Sequence, residues 1–212
     1  LTLNMSNIAL IDYGMGNLHS VSKAIKKVSS NTKVNITSDK KEIEDADKVI
    51  VPGVGAIKEC LRAIRNKKLD QVILDVINSK PILGICVGMQ LFLESSEEND
   101  GTLGLGVLKG EVKKIPLKSS IKIPHMGWNK VKQTKDHPMW SDIPDDSYFY
   151  FVHSYCCLSS QNSVGISSHG LDFVAALAKG SIFAVQFHPE KSQDAGLQLY
   201  RNFINWDGES SC

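Results

Sequence analysis

The first half of the chain states one theme three times: a β-rich apolar run, a glycine turn, then a stretch with helical periodicity. Ile8-Ala9-Leu10-Ile11 runs into Asp12-Tyr13-Gly14-Met15-Gly16-Asn17, after which Leu18, Val21, Ile25 and Val28 share one helical face. Lys48-Val49-Ile50-Val51 runs into Pro52-Gly53-Val54-Gly55, with Ile57, Leu61 and Ile64 following at helical spacing. Pro81-Ile82-Leu83-Gly84-Ile85 runs into a turn around Cys86, and Met89, Phe92 and Leu93 follow. A further short strand is expected at Val34-Asn35-Ile36-Thr37. Strands alternating with helices predict βαβ units, hence an α/β fold with a three-layer arrangement and a mainly parallel sheet flanked by helices. The runs are apolar throughout, as strands covered on both faces must be. In such sheets the loops at the carboxyl ends of the strands carry the site, and all three glycine turns lie there.

The second half reads as short extra strands separated by turns, over residues 106–112, 130–132, 148–152, 164–168 and 173–176. Residues 97–104 read as a loop, residues 182–187 as a last strand, and Leu197, Tyr200, Phe203 and Ile204 as one face of a closing helix. With 212 residues and no linker or repeat, one domain is expected over 7–206, between an N-terminal extension (1–6) and a short tail (207–212).

Composition narrows the function. A formal net charge of +1, with its lysine pairs scattered, gives no field to draw nucleic acid or an acidic membrane. No stretch approaches the ~20 apolar residues of a membrane span, and LTLNMSN does not read as a secretory signal. The five cysteines are odd in number and lack metal-ligand spacing, which predicts free thiols in a reducing cytoplasm and no bound metal. Cys156 and Cys157 read as two small residues on opposite faces of one strand. The glycine turns do not complete a dinucleotide fingerprint: His19 and Lys58 stand where the third glycine belongs, and no P-loop is present. No cofactor is expected.

Gly84-Ile85-Cys86-Val87-Gly88 has the form of a nucleophile elbow with cysteine in place of serine. Small neighbours let the backbone pass close to itself and lift one side chain above the sheet. A helix start beneath would favour thiolate, the reactive form, and put the Val87 amide where an oxyanion develops. The partner is Phe187-His188-Pro189-Glu190. Pro189 biases His188 towards extended backbone, where residues i and i+2 point the same way. Glu190 can then hold one ring nitrogen while the other faces the thiol, the order nucleophile, base, orienter.

GICVGMQ (84–90) with VQFHPEKS (185–192) resembles the triad-type, class I glutamine amidotransferases. DYGMGN, PGVGA, LFLESSEE, PHMGWN and YFVHSY extend the likeness over nearly the whole chain, towards the glutaminase subunits of imidazole glycerol phosphate synthases in histidine biosynthesis. The resemblance implies that Cys86 attacks the glutamine side-chain carbonyl, with His188 and Glu190 completing the triad. It implies an oxyanion hole from the amides of Val54 and Val87, switched by turning one peptide of the 52–55 loop. It also implies glutamine binding by Gly53, Gly55, Gln90, His153, Ser154 and Tyr155. The ammonia would pass across a sealed interface to a (β/α)₈-barrel cyclase subunit, forming a heterodimer. Asn17, Pro124, His125, Met126, Gly127, Trp128, Asn129 and Tyr150 are the candidates for that interface. Ala184, His169 and the Cys156-Cys157 pair depart from the family pattern without touching the triad. Three other readings stay open on the residues: an amidotransferase serving a sugar-amidinating synthase, a stand-alone cysteine hydrolase, and a regulator that no longer cleaves glutamine.

Overall fold

The computed structural model describes residues 6–117 and 121–209. Most of the expected N-terminal extension, and the last residues of the expected tail, lie outside them. The first half follows the repeated theme. β1 (Asn7–Ile11) leads to α1 (Leu18–Val28) and β2 (Lys33–Thr37), then α2 (Lys40–Asp45), β3 (Lys48–Val51), α3 (Ile57–Asn66) and α4 (Leu69–Val76). β4 (Ile82–Ile85) leads through Cys86 into the short α5 (Val87–Phe92). The sequence reading had no expectation for α2 or α4.

The second half gives β5 (Ser95–Ser96), β6 (Thr102–Leu103), β7 (Glu111–Lys114), β8 (His125–Gln133), β9 (Ser147–His153), β10 (Tyr155–Cys157), β11 (Ser163–Ser168), β12 (Asp172–Lys179), β13 (Ile182–Val185) and α6 (Gln193–Asn205). These strands do more than decorate a parallel sheet. One nine-stranded sheet has the order β2-β1-β3-β4-β13-β12-β11-β8-β9. Its pairings are parallel from β2 to β13 and antiparallel from there to β9, so the sheet is mixed. β10, β7, β5 and β6 form a small second sheet.

Three expectations need correction, the first being that residues 97–104 are all loop, since Thr102–Leu103 pair with Ser95–Ser96 as β6. Residues 106–110 form no strand, because Gly106 and Gly110 take positive φ and turn the chain, so β7 starts only at Glu111. The last strand ends at Val185, two residues early: Gln186 keeps its N–H on the Ala175 carbonyl but sends its side chain to Cys86, and Phe187 stacks on Phe149. Cys156 and Cys157 are free and both buried, as small residues on the two faces of β10 would be.

The parallel strands β1, β3, β4 and β13 have no exposed residue, and the apolar faces of α1, α3 and α6 pack over them. With about 25 cal/mol for each Å² of apolar surface removed from water, this core is the main source of stability. Topology then places the chemistry: β3, β4 and β13 are neighbours, so residues 52–55, Cys86 and residues 186–188 leave the sheet side by side.

Candidate active site

At the end of β4 the chain reverses sharply. Cys86 has φ 55°, ψ −110°, a conformation that costs a residue with a Cβ ~1–3 kcal/mol. Neighbouring bonds hold it there: its N–H donates to the Val185 carbonyl at 2.7 Å, and its carbonyl accepts from Met89 N–H at 3.0 Å. The flanking glycines have a steric cause. A Cβ on Gly88 would lie 1.9 Å from the Val51 carbonyl oxygen, and one on Gly84 would lie 2.7 Å from the Phe92 ring.

His188 follows β13 with extended backbone, φ −105°, ψ 97°. Its Nδ1 lies 2.8 Å from Glu190 Oε1, and both side chains are buried. Nε2 is buried without a hydrogen bond of normal length; the group it faces is the Cys86 sulfur. Burial alone would lower the ring's pKa, but Cys86 and Glu190 outweigh it and hold it up at about 10. The His188 backbone is clamped to β9. Its N–H donates to the Tyr150 carbonyl at 2.9 Å, and its carbonyl accepts from Ser192 Oγ, which accepts the Tyr150 N–H in turn.

The expected oxyanion donors do not converge. Val87 N–H points at the Gly53 carbonyl, with N to O 3.4 Å, a long contact. Because a trans peptide sets its C=O and N–H antiparallel, the Val54 N–H of that same unit points away. Turning this one peptide would free Val87 N–H and bring in Val54 N–H together. The peptides either side are tied: Tyr13 Oη donates to the Pro52 carbonyl, and Cys60 Sγ to that of Val54. Gly53, expected to touch substrate, is not among the residues lining the cleft. A Cβ there would meet Gly88 N at 2.8 Å.

The cleft over Cys86 has a volume of about 320 Å³, the small end of the range for ligand sites. Val54, Gly55, Cys86, Val87, Gln90, His153, Ser154, Tyr155 and His188 all line it, as does Pro124, which was expected at the interface. Gln90 donates both amide hydrogens inward, to the Tyr155 carbonyl (3.1 Å) and to Gln186 Oε1 (2.9 Å). Its own Oε1 is left as the group to meet a ligand.

The sequence reading missed three contributors. Buried Gln186 directs its Nε2 at Cys86 Sγ, 3.8 Å away. Glu98 lines the cleft while accepting Ile57 N–H at the start of α3 (2.9 Å). Ser192 makes the clamp just described. Gln186 and Ser192 stand within the recognised VQFHPEKS segment, where no role was expected of either. Glu98 ends the LFLESSEE segment that carries part of the family likeness, but no role was expected of it there and residues 97–104 read as a loop. Among the described residues no group of three or more metal-ligating side chains occurs, and no helix is long and apolar enough to cross a membrane.

β8 divides the expected interface set by strand alternation. Met126 and Trp128 face outward, 62% and 46% exposed, and Trp128 meets Tyr150 edge-on across the ladder at 6.0 Å. His125 is buried, stacked on Phe151 and His169, so its ring is not a surface contact. Asn129 also turns inward, towards His125 and the Ser168 carbonyl. Gly127 has no side chain to offer. Asn17 precedes α1, whose Lys23 and Lys27 share a cleft with Lys191; the Lys191 ammonium lies over the Tyr150 ring.

A family model, glutamine amidotransferase class-I, matches residues 9–206. The chain is 52% identical over 211 residues to imidazole glycerol phosphate synthase subunit HisH of Pseudomonas syringae pv. syringae, covering 96% of this chain and 99% of that one. It is 53% identical to the protein of the same name from Pseudomonas putida, with the same coverage. A solved structure of a glutamine amidotransferase superposes with a TM-score of 0.69 at 16% identity, covering 93% of this chain and 97% of that one, a likeness of fold. The chain belongs to the class-I glutamine amidotransferases and, within them, to the family of imidazole glycerol phosphate synthase HisH subunits.

Proposed function

We propose that this chain hydrolyses L-glutamine to glutamate and ammonia as the glutaminase subunit of an imidazole glycerol phosphate synthase. The observation that carries this reading is the meeting of Cys86, His188 and Glu190 at one end of the sheet, with Nδ1 on Glu190 and Nε2 towards the thiol. Cys86 Sγ gives its proton to His188 and bonds to the side-chain amide carbon, and the carbonyl becomes an oxyanion. His188 hands a proton to the departing nitrogen, which leaves as ammonia, and a thioester remains. Water then attacks, His188 takes its proton, the C–S bond breaks and glutamate leaves. Glu190 holds the ring's tautomer and balances its charge. Residues 7–206 act as one catalytic unit, in the reducing cytoplasm where the buried free cysteines are compatible with function.

Gln90 Oε1 is an acceptor and therefore suits the substrate's α-ammonium group. The Gly53–Val54 peptide works as the gate: with its carbonyl on Val87 N–H, the developing oxyanion has no pair of donors. Ammonia released into water would be protonated and lose its nucleophilicity, so it passes to a (β/α)₈-barrel cyclase subunit. That subunit docks on the outward face of Met126, Trp128 and Tyr150, extended through Lys191 to Asn17. Aromatic residues at such a surface are typical of interface cores. Mass analysis of protein quenched during glutamine turnover tests the chemistry. A glutamyl adduct on the peptide bearing Cys86, absent from Cys86→Ala, is expected; turnover without it would overturn the thioester route.

A further inference from the structure

Behind the cleft runs a string of hydrogen bonds that the triad does not use. Asn129 Nδ2 lies 3.2 Å from His125 Nε2, His125 Nδ1 lies 2.9 Å from His153 Nε2, and His153 Nδ1 lies 2.9 Å from the Tyr155 carbonyl. Donor counting settles every link. A carbonyl only accepts, so His153 Nδ1 carries hydrogen. Neutral His153 must then accept at Nε2, so His125 donates from Nδ1 and accepts at Nε2. Asn129 fits that end, since its oxygen already accepts Lys130 N–H and its amide nitrogen also donates to the Ser168 carbonyl. Both rings are therefore Nδ1–H tautomers pointing towards the cleft. Burial, reinforced by the neighbouring histidines, keeps them neutral: His125 falls to about 3 and His153 to about 4.

The string ends on the carbonyl that also receives Gln90, and Gln90 leads on through Gln186 to Cys86 Sγ. The Tyr155 oxygen thus takes donors from both sides. Together with Gln186 Oε1, it opposes the Gln90 amide turning over and presenting nitrogen to the cleft.

We propose that His125 and His153 are positioning residues: their one-way string from Asn129 on β8 holds the Tyr155 carbonyl, and through it the Gln90 oxygen, in place to receive glutamine. The proposal rests on the reading of the cleft as a glutamine site. It also gives the buried half of β8 a task distinct from its outward, partner-facing half.

Two measurements decide it. A long-range ¹H–¹⁵N spectrum of the whole chain at neutral pH should show both rings as Nδ1–H tautomers; an Nε2–H pattern in either ring overturns the string. His125→Phe keeps the stacking on Phe151 and His169 but removes both hydrogen bonds, whereas His125→Gln keeps a donor and an acceptor. In the partner-stimulated enzyme, His125→Phe should raise KM for glutamine about tenfold with kcat within twofold, and His125→Gln should restore KM. An unchanged KM in His125→Phe, or no rescue, overturns the positioning role. If His125→Phe does not fold, Asn129→Leu removes the first donor instead and is judged the same way. Should the wild-type chain never cleave glutamine, the glutamine reading itself fails and the positioning role fails with it, while the spectrum still decides the string.

Discussion

The Gly53 carbonyl oxygen stands 3.4 Å from the Val87 amide nitrogen and accepts its N–H. One peptide unit therefore controls two donors, because its carbonyl blocks Val87 N–H while its own N–H, that of Val54, faces away. The ¹⁵N amide resonances of Val54 and Val87 should move together when the liganded cyclase subunit binds. Movement of one without the other would contradict a single-peptide gate.

Glu190 Oε1 meets the His188 ring at Nδ1, and Glu190 does not line the cleft over Cys86, so its loss should spare binding and impair chemistry. Glu190→Gln is expected to lower kcat by roughly 10²- to 10⁴-fold with KM changed less than about threefold. Steady-state kinetics on the stimulated enzyme check this. An equal fall in kcat/KM arising from KM would assign Glu190 to substrate binding instead.

The turn at Cys86 predicts an inversion of the usual ranking of glycine and alanine. At φ 55° a Cβ is strained, so Cys86→Gly should be more stable than Cys86→Ala by ~1 kcal/mol, both being inactive. Gly88→Ala should destabilise by about 3 kcal/mol, since its Cβ would meet the Val51 carbonyl. Denaturant unfolding of the three variants measures both differences.

Histidines make the stability pH-dependent on both sides. Burial, first of all, lowers His125 to about 3 and His137 and His153 to about 4, from an ordinary 6.5. The unfolded chain binds their protons first, so the stability they contribute is complete above pH 6.5 and is lost as the pH falls towards 4. His188, raised to about 10, works the other way: its contribution is complete below pH 6.5 and lost as pH rises through 10. Each proton adds ~1.4 kcal/mol per pH unit to the slope. His137 lies outside the cleft, with its Nδ1 accepting Met139 N–H, so His137→Gln should reduce the acid slope by about one proton. An unchanged slope between pH 4 and 6.5 would contradict this.

The parallel half of the fold was legible because β1, β3 and β4 are buried on both faces and each ends in a glycine turn. The meeting of Cys86, His188 and Glu190 was legible for a related reason: an elbow needs glycine at fixed offsets, and Pro189 aligns His188 with Glu190 over two residues. The antiparallel half was less so. β8 and β9 alternate buried with more exposed residues while β12 is buried through its middle, and the pairing order of these strands depends on contacts far apart in sequence. The same alternation hid His125, since a strand motif does not say which of its faces is buried. Gln186 and Glu98 were missed because a polar residue leaving a strand or a loop reveals its target only when the chain is folded. No local signal gave the orientation of the Gly53–Val54 peptide, because glycine accepts either.

Glutamate release from glutamine, by the chain alone and then with a histidine-pathway cyclase subunit and its nucleotide ligand, tests the central claim most directly. Withholding oxyanion-hole donors costs roughly 10²–10³ in rate, so stimulation of that order is expected, with none in Cys86→Ala. Full activity of the chain alone, or no response to the liganded partner, would contradict a partner-gated glutaminase.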